Sequence, residues 1–312
     1  MERQHPLERD DDERYDLTSA RSGALGSYKA FNPLSASVRV EFGAATHPGL
    51  RRKTSDDHFL IVRLGRSQET ITTSLPSGAV PDSFEEQGYG YVVADGMGSD
   101  GPEIASRMAL ATLAQLVLHY GRWNVRINER TAWEIAQRGE RFYQRIDEEI
   151  TEASHKHPAL AGMGTTLTTA YSAGDELFIV HVGHSRGYLY RNGLLTRLTK
   201  DQTLQQRLAD TGRRAPTELA AHDLRHVLTD AIGGHAGEPD IEIQNYLLMD
   251  GDVVLLSTNG LTDMVGDDQI ANVLRAGSDQ PLEPQARRLV DLALERGGPD
   301  NITALLARYK IP

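Results

Sequence analysis

The 312-residue sequence contains no cysteine. This absence excludes disulfide bonds, thiolate zinc sites and every mechanism that uses a cysteine nucleophile. The chain also lacks any run of about 18 apolar residues, so we expect no membrane-spanning helix. The first stretch, MERQHPLERDDDERYDL, has no apolar segment of the kind found in secretory signal peptides. We therefore expect a cytoplasmic protein.

Positive charge is in short supply. The sequence has 33 Lys and Arg against 44 Asp and Glu, a formal net charge of −11. Such an excess of negative charge disfavours non-specific binding to nucleic acid or to an anionic membrane, and we expect neither as a partner. Hydrophobic residues make up 39% of the chain, which is ordinary for a globular protein and sufficient for a packed core.

The order of the predicted elements indicates the fold class. Residues 1–35 are charged and then rich in Ser, Gly, Ala and Pro without apolar periodicity, which predicts a flexible tail. From residue 36 onward, strands come in runs, followed by helices and then by strands again. This grouping favours an α+β domain over 36–312 with antiparallel sheets and packed helices, rather than a doubly wound parallel sheet. Residues 65–88 are polar and turn-rich, which predicts a long surface loop. Residues 200–235 are predicted to form short helical and irregular segments.

The periodicity of apolar residues gives the approximate limits of these elements. Strands are predicted at 36–46, 58–64, 89–94, 165–172, 176–183, 186–192, 194–199, 241–248, 252–258 and 301–309. Helices are predicted at 102–121, 129–154 and 282–296.

The stretch YVVADGMGSDG, residues 91–101, runs from an apolar strand directly into an acid and a glycine-rich turn. Three other segments likewise place an acid or amide beside an apolar run. Carboxylates gathered at sheet edges repel one another, a cost that a bound cation offsets. Oxygen ligands without Cys or a His pair favour Mg²⁺ or Mn²⁺ over zinc. Any one of these acids alone would more often be a turn or cap residue, but the set predicts a metal site: Asp56, Asp57, Asp95, Asn259, Asp263 and Asp300.

Six motifs in a fixed order carry a family resemblance. They are GLRRKTSDDHFLI, VVADGMGSDGPEIAS, GMGTTLTTAYS, FIVHVGHSRGYLYRNGLLTRLTKDQT, GDVVLLSTNGLTDMV and GGPDNITALLA. Together they resemble the bacterial branch of the PP2C-type, or PPM, metal-dependent serine/threonine phosphatases, over about residues 38–309. The resemblance implies a four-layer α-β-β-α sandwich in which two antiparallel sheets are flanked by helix pairs.

The resemblance also implies an activity. Members of this family hydrolyse phosphoserine and phosphothreonine in proteins through a water that bridges two Mn²⁺ or Mg²⁺ ions. Their reaction needs no nucleophile from the protein, so the lack of cysteine is compatible with it. The partners implied are phosphoproteins and, indirectly, an opposing Ser/Thr kinase. Residues 200–235 correspond to the flap beside the family's active site.

The motifs assign roles to five positions. The resemblance implies that Asp95 bridges the two metals and that Gly96 offers its carbonyl to one of them. Asp57 and Asp300 correspond to further metal ligands. Arg52 corresponds to the phosphate-binding arginine, although its RRK context could equally be an ordinary solvated basic run.

Other motif residues receive no chemical role. Gly164, Thr165 and Thr166 match a motif that is structural in the family. Asp263 and Asp268 are interpreted as turn and helix-cap acids.

Three positions depart from the family pattern. Asp56 stands in place of a longer Glu, His184 in place of an acid linked to a third metal, and Asn259 in place of a direct ligand. Asn259 can ligate through its amide oxygen but brings no charge, so we expect one metal to bind weakly. His184 could be an imidazole ligand or a hydrogen-bonded structural residue.

These departures leave a second interpretation open. The chain could be a catalytically weakened pseudophosphatase that acts as a regulatory phosphoprotein-binding module. A nucleotide-phosphate loop at ADGMGSDG is disfavoured, because neither the Lys-Ser/Thr of a P-loop nor the G-x-G-x-x-G pattern is present.

Overall fold

A computed structural model describes residues 34–98, 101–122, 129–212, 224–234 and 237–312. Nearly all of the predicted tail and part of the predicted flap therefore lie outside the described residues. The chain divides into two compact units, of which the larger comprises Pro33–Arg66 and Glu85–Pro312. The described part of the smaller unit is residues 67–84, in which the Thr70 amide donates to the Asp82 carbonyl at 2.9 Å.

One sheet has five strands in the spatial order β1-β11-β10-β7-β8. Each neighbouring pair for which register is defined is antiparallel, including β1 with β11 and β10 with β7. The strands are β1 (Arg39–His47), β7 (Arg186–Arg191), β8 (Leu194–Arg197), β10 (Val253–Ser257) and β11 (Ile302–Lys310).

The other sheet has six strands in the order β2-β3-β5-β6-β9, with β4 paired to β3 beyond that path. Its pairs of defined register are again antiparallel. The strands are β2 (Asp57–Glu69), β3 (Ser83–Met97), β4 (Gly164–Thr165), β5 (Leu167–Ala173), β6 (Glu176–Val182) and β9 (Glu242–Leu247).

The two long helices predicted after β3 are present. Three helices lie between β10 and β11, and only the last of them was predicted. The helices are α1 (Leu34–Ser37), α2 (Pro102–Tyr120), α3 (Glu129–Lys156), α4 (Leu204–Asp210), α5 (Asn259–Thr262), α6 (Asp267–Ala276) and α7 (Leu282–Glu295), with a 3₁₀ turn at Pro158–Leu160.

Three apolar layers hold these elements together. One packs the five-stranded sheet against α6 and α7, one lies between the sheets, and one packs the six-stranded sheet against α2 and α3. In the middle layer the hydroxyls of Tyr91 and Tyr309, from opposite sheets, lie 3.0 Å apart. These three apolar layers lie between four layers of secondary structure: helices, the five-stranded sheet, the six-stranded sheet and helices. The four-layer α-β-β-α sandwich is therefore confirmed.

Two local predictions differ from the structure. The loop expected at 65–88 is shorter, because β2 continues to Glu69 and β3 begins at Ser83. The last residues of β2 are exposed, so their sequence has no apolar alternation to show a strand. Helix α6 was not predicted. It begins with Asp267 and Asp268 in its first turn, where acids stabilise a helix.

Candidate metal and phosphate site

The candidate site lies where strands of both sheets begin or end. Asp57 is the first residue of β2, and Asp95 lies near the end of β3. Asn259 opens α5 two residues after β10, and Asp300 lies two residues before β11. Each sheet thus contributes two neighbouring strands, which carries residues that are far apart in sequence to one edge of the sandwich.

Asp57 is buried and held by two threonines. Its Oδ2 atom accepts hydrogen bonds of 2.7 Å from the hydroxyls of Thr258 and Thr303. Its Oδ1 atom is also buried but has no hydrogen-bond partner within the described residues. A buried carboxylate oxygen without a donor is costly, and a cation would satisfy it.

The backbone of Asp95 is fixed by Thr165 and Thr166. The Asp95 amide donates to Thr166 Oγ1 at 3.1 Å, and the Thr166 amide donates back to the Asp95 carbonyl at 2.9 Å. The Thr165 hydroxyl donates to the same carbonyl at 2.9 Å. These threonines hold the strand end that presents the Asp95 side chain. This role is structural rather than chemical, in agreement with the structural motif to which the sequence assigned them.

The acids of the site repel one another. Burial raises the pKa of Asp57 to about 7, against the pull of its two hydroxyl donors, and the negative charge of Asp300 adds to the rise. Burial, followed by the charges of Asp57 and Asp300, raises the pKa of Asp95 well above its ordinary value. Raised pKa values of neighbouring buried carboxylates are typical of a cation-binding site, because a bound cation would stabilise their ionised forms.

Asn259 contributes a neutral oxygen. Its side chain is buried, and its Oδ1 atom has no hydrogen-bond partner among the residues described. Its Nδ2 atom donates to Asp263 Oδ2 at 3.4 Å, which leaves Oδ1 as the atom available to a ligand.

These features test whether the residues fit a hard divalent cation. Over the described ranges, no three His, Asp or Glu side chains by themselves form a group able to hold a metal ion. A metal here therefore needs the amide oxygen of Asn259 or a backbone carbonyl beside the acids. Two unpartnered buried oxygens, on Asp57 and Asn259, supply the donor type that Mg²⁺ and Mn²⁺ prefer. The residues fit such an ion.

Arg52 lies at the exposed side of these acids. Its Nε atom is 3.1 Å from Asp300 Oδ1, and its Nη1 atom is 3.5 Å from Asp56 Oδ2. About half of the Arg52 side chain is exposed, at 51%. Acids of the site therefore hold the guanidinium in place, and the group is still accessible to an anion from solvent. The RRK sequence context alone did not indicate this placement.

Asp56 faces the arginine. Burial raises its pKa, although the charge of Arg52 opposes the rise. Its amide donates to Asn301 Oδ1 at 2.7 Å, and Asn301 in turn donates to the carbonyls of Pro48 and Thr54 at 2.9 and 3.0 Å. Asn301 was not predicted as a site residue. Its position directly after Asp300 in a turn was the available signal.

Two glycines beside the site residues permit close backbone packing. A Cβ atom on Gly96 would lie 2.1 Å from the carbonyl oxygen of Pro102, and one on Gly260 would lie 1.9 Å from that of Asn301. Any side chain at either position would displace the backbone. The glycines that follow Asp95 and Asn259 are thus required by packing, independently of any ligand.

His184 is held neutral. Burial lowers its pKa to about 4, and its Nδ1 atom is buried with no hydrogen-bond partner in the described part of the chain. The charge of Asp300 acts on it, so the imidazole lies within electrostatic range of the site. Whether it ligates a metal stays a prediction.

Asp263 connects Asn259 to the described part of the predicted flap, residues 200–212 and 224–234. Besides accepting from Asn259, it lies 3.7 Å from Arg225 Nε and 3.6 Å from His226 Nδ1. It directly follows α5, in agreement with a turn position, and Asp268 lies in the first turn of α6.

The chain resembles known proteins in both sequence and structure. Residues 82–293 match the family model described as protein phosphatase 2C. The chain is 37% identical over 216 residues to the serine/threonine protein phosphatase PstP of Mycobacterium tuberculosis. This match covers 69% of this chain but only 39% of the length of that relative. It is 34% identical over 218 residues to the serine/threonine phosphatase stp of Listeria monocytogenes, covering 69% of this chain and 82% of that one.

A solved structure agrees with the fold. The crystal structure of the PstP catalytic domain in complex with 2 manganese ions has a TM-score of 0.63 and 30% sequence identity, covering 88% of this chain and 99% of that chain. Over the residues that the structure describes, no helix combines the length and apolar character that a membrane crossing requires. The family match spans more than half of the sequence, and the relatives agree with it: the chain belongs to the protein phosphatase 2C family.

Proposed function

We propose that this protein is a metal-dependent phosphatase that hydrolyses phosphoserine and phosphothreonine in proteins. The observation that carries the proposal is the convergence of Asp57, Asp95 and Asp300 beside a half-exposed Arg52. The pKa values of Asp57 and Asp95 are raised by burial and by neighbouring carboxylates, and an open guanidinium lies beside them. This arrangement suits a site that takes cations on one side and a phosphate on the other.

The residues that would hold two Mn²⁺ or Mg²⁺ ions are Asp57, Asp95, Asn259 and Asp300 with the carbonyl of Gly96. When bound, such ions supply a water of lowered pKa and neutralise charge on the phosphoryl oxygens. The hydroxyls of Thr258 and Thr303 orient the Asp57 carboxylate.

Arg52 would bind the phosphate. Its planar guanidinium can donate two parallel hydrogen bonds to phosphate oxygens while Asp300 and Asp56 hold its position. The protein would act in the cytoplasm on phosphoproteins and oppose a Ser/Thr kinase.

A second function is favoured by the neutral Asn259 at a position of ligand type. With one negative charge fewer, the centre could be too weak for turnover and serve as a regulatory phosphoprotein-binding module. The neutral His184 points the same way, because it replaces an acid of the motif.

A turnover assay separates the two functions. Hydrolysis of p-nitrophenyl phosphate and of a phosphothreonine peptide is measured during a Mn²⁺ titration, with EDTA and with Asp95→Ala. Asp279→Ala, at an exposed position on the segment before α7, is the matched control. A phosphatase requires Mn²⁺-dependent turnover of the peptide that is lost with EDTA and in Asp95→Ala but kept in the control. Peptide binding without turnover at any Mn²⁺ concentration would establish the pseudophosphatase instead.

A further inference from the structure

A cavity of about 370 Å³ lies between the six-stranded sheet and the pair α2 and α3. It is separate from the metal and phosphate site, since none of the residues named for that site lines it. Its volume is within the range of about 300–1,000 Å³ that small-molecule sites occupy. Most of its wall is apolar, including Val62, Val92, Leu113, Val117, Phe142 and Val180.

Arginines lie along one part of this wall. Arg63, Arg122 and Arg138 line the cavity, Arg63 and Arg122 being exposed and Arg138 partly buried. Burial lowers the pKa of Arg138, and the positive charges of Arg122 and Arg141 lower it further. Several like charges therefore meet beside an apolar space.

The charges of Arg122 and Arg138 lack ion-pair partners among the residues that the structure describes. In the described ranges, neither Arg122 nor Arg138 has an ion-pair or hydrogen-bond partner. The negative charge of Glu134 raises the pKa of Arg138, but the Glu134 carboxylate is paired with Arg130, 3.3 Å from its Nε atom. A partly buried guanidinium without a counter-charge costs free energy that a bound anion would offset.

We propose that this cavity binds an amphipathic carboxylate, whose apolar chain fills the space between sheet and helices while its carboxylate contacts Arg122 and Arg138. The apolar wall selects the chain, since burying methylene groups there removes them from water. The guanidinium groups select the charge, because carboxylate matches their paired donors. A neutral apolar ligand would leave the arginines without a counter-charge.

The test uses decanoate as the probe, titrated into the full chain by isothermal calorimetry below its micelle concentration. We expect one equivalent to bind to the wild type, and 1-decanol to bind at least about tenfold more weakly because it lacks the charge. The double variant Arg122→Gln/Arg138→Gln should lose at least about tenfold in affinity, the loss expected for one charge-assisted hydrogen bond. Arg145→Gln, on the same helix as Arg138 but outside the cavity and paired with Glu148 and Glu149, should bind like the wild type.

A second pair of variants tests the apolar space. Ala114 lines the cavity, whereas Ala111 on the same helix is exposed. Ala114→Phe should abolish decanoate binding, and Ala111→Phe should not, with circular dichroism verifying that both are folded. The proposal is overturned if the wild type binds no decanoate, if 1-decanol binds equally well, or if folded Ala114→Phe or the arginine double variant binds decanoate as the wild type does.

Discussion

The hydroxyl of Thr258 donates a 2.7 Å hydrogen bond to Oδ2 of Asp57. Thr258 directly follows β10 of the five-stranded sheet, whereas Asp57 begins β2 of the six-stranded sheet. This bond therefore joins the two halves of the sandwich at the candidate site. It also orients Asp57 so that Oδ1 is left without a partner from the described residues. The geometry of the acid depends on a residue that carries no charge itself.

Thr258→Val removes this donor while keeping the shape of the side chain. The Thr258 hydroxyl lowers the pKa of Asp57, so its loss makes the carboxylate harder to ionise and less firmly oriented. We expect Mn²⁺ affinity to fall by about 10–100-fold, as for other residues that orient a ligand. Calorimetric titration with Mn²⁺ measures the change. Thr196→Val, at an exposed position of β8, is the control, and equal affinities for both variants would contradict the orienting role.

Asn259→Asp should lower the melting temperature of the metal-free protein but increase the stabilisation that Mn²⁺ gives. Without metal, the new carboxylate would face Asp263, which accepts from Asn259 at 3.4 Å, so the melting temperature should fall through like-charge repulsion. With Mn²⁺, the added charge should tighten metal binding, so the rise in melting temperature on adding Mn²⁺ should exceed that of the wild type. Differential scanning fluorimetry measures both.

The matched control for this substitution is Asn245→Asp, at an exposed position of β9. It adds the same charge away from the site and should leave the Mn²⁺-induced rise unchanged. If Asn259→Asp gives no larger rise than Asn245→Asp, the amide oxygen of Asn259 does not face the metal.

Arg52→Lys tests phosphate binding. Lysine keeps the positive charge but cannot contact Asp300, Asp56 and two phosphate oxygens with one planar group. We expect KM for a phosphothreonine peptide to rise about tenfold, corresponding to about 1.4 kcal/mol of binding. Arg51→Lys, at the exposed neighbouring position, should leave KM unchanged. A variant whose KM equals that of the wild type would remove Arg52 from the phosphate site.

The fold could be predicted from the sequence because its strands and helices show clear periodicity. Where a strand is exposed, as at the end of β2, periodicity fails and the prediction fell short. The short helix α6 was missed altogether. Its buried residues Ile270, Ala271 and Leu274 have helical spacing, but the segment is only ten residues long and therefore offers few repeats of the pattern.

The acids of the site could be predicted from the sequence, since each lies close to one end of an apolar run. Their supporting residues could not. Thr258, Thr303 and Asn301 are 201, 246 and 245 residues from the partners they bond, Asp57 and Asp56. Only the pairing of strands from distant parts of the chain brings them together, and no local pattern encodes that contact.

His181 makes stability depend on pH. It is fully buried between the Thr168 hydroxyl, 2.8 Å from Nδ1, and the Lys200 carbonyl, 3.1 Å from Nε2. Burial lowers its pKa from the ordinary 6.5; the charges of Glu242 and Asp201 oppose this and that of Arg197 adds to it.

Because the folded-state pKa of His181 is depressed, the unfolded chain binds the proton more readily. The contribution to stability is complete above about pH 6.5 and is lost as pH falls toward the folded-state pKa, by up to about 1.4 kcal/mol per pH unit. His181→Gln should therefore lose less stability than the wild type between pH 7 and pH 5, as measured by urea unfolding, even though it is less stable at pH 7. His155→Gln, at an exposed position of α3, should follow the wild type. Parallel pH profiles for His181→Gln and the wild type would show that this histidine is not protonated on unfolding in that range.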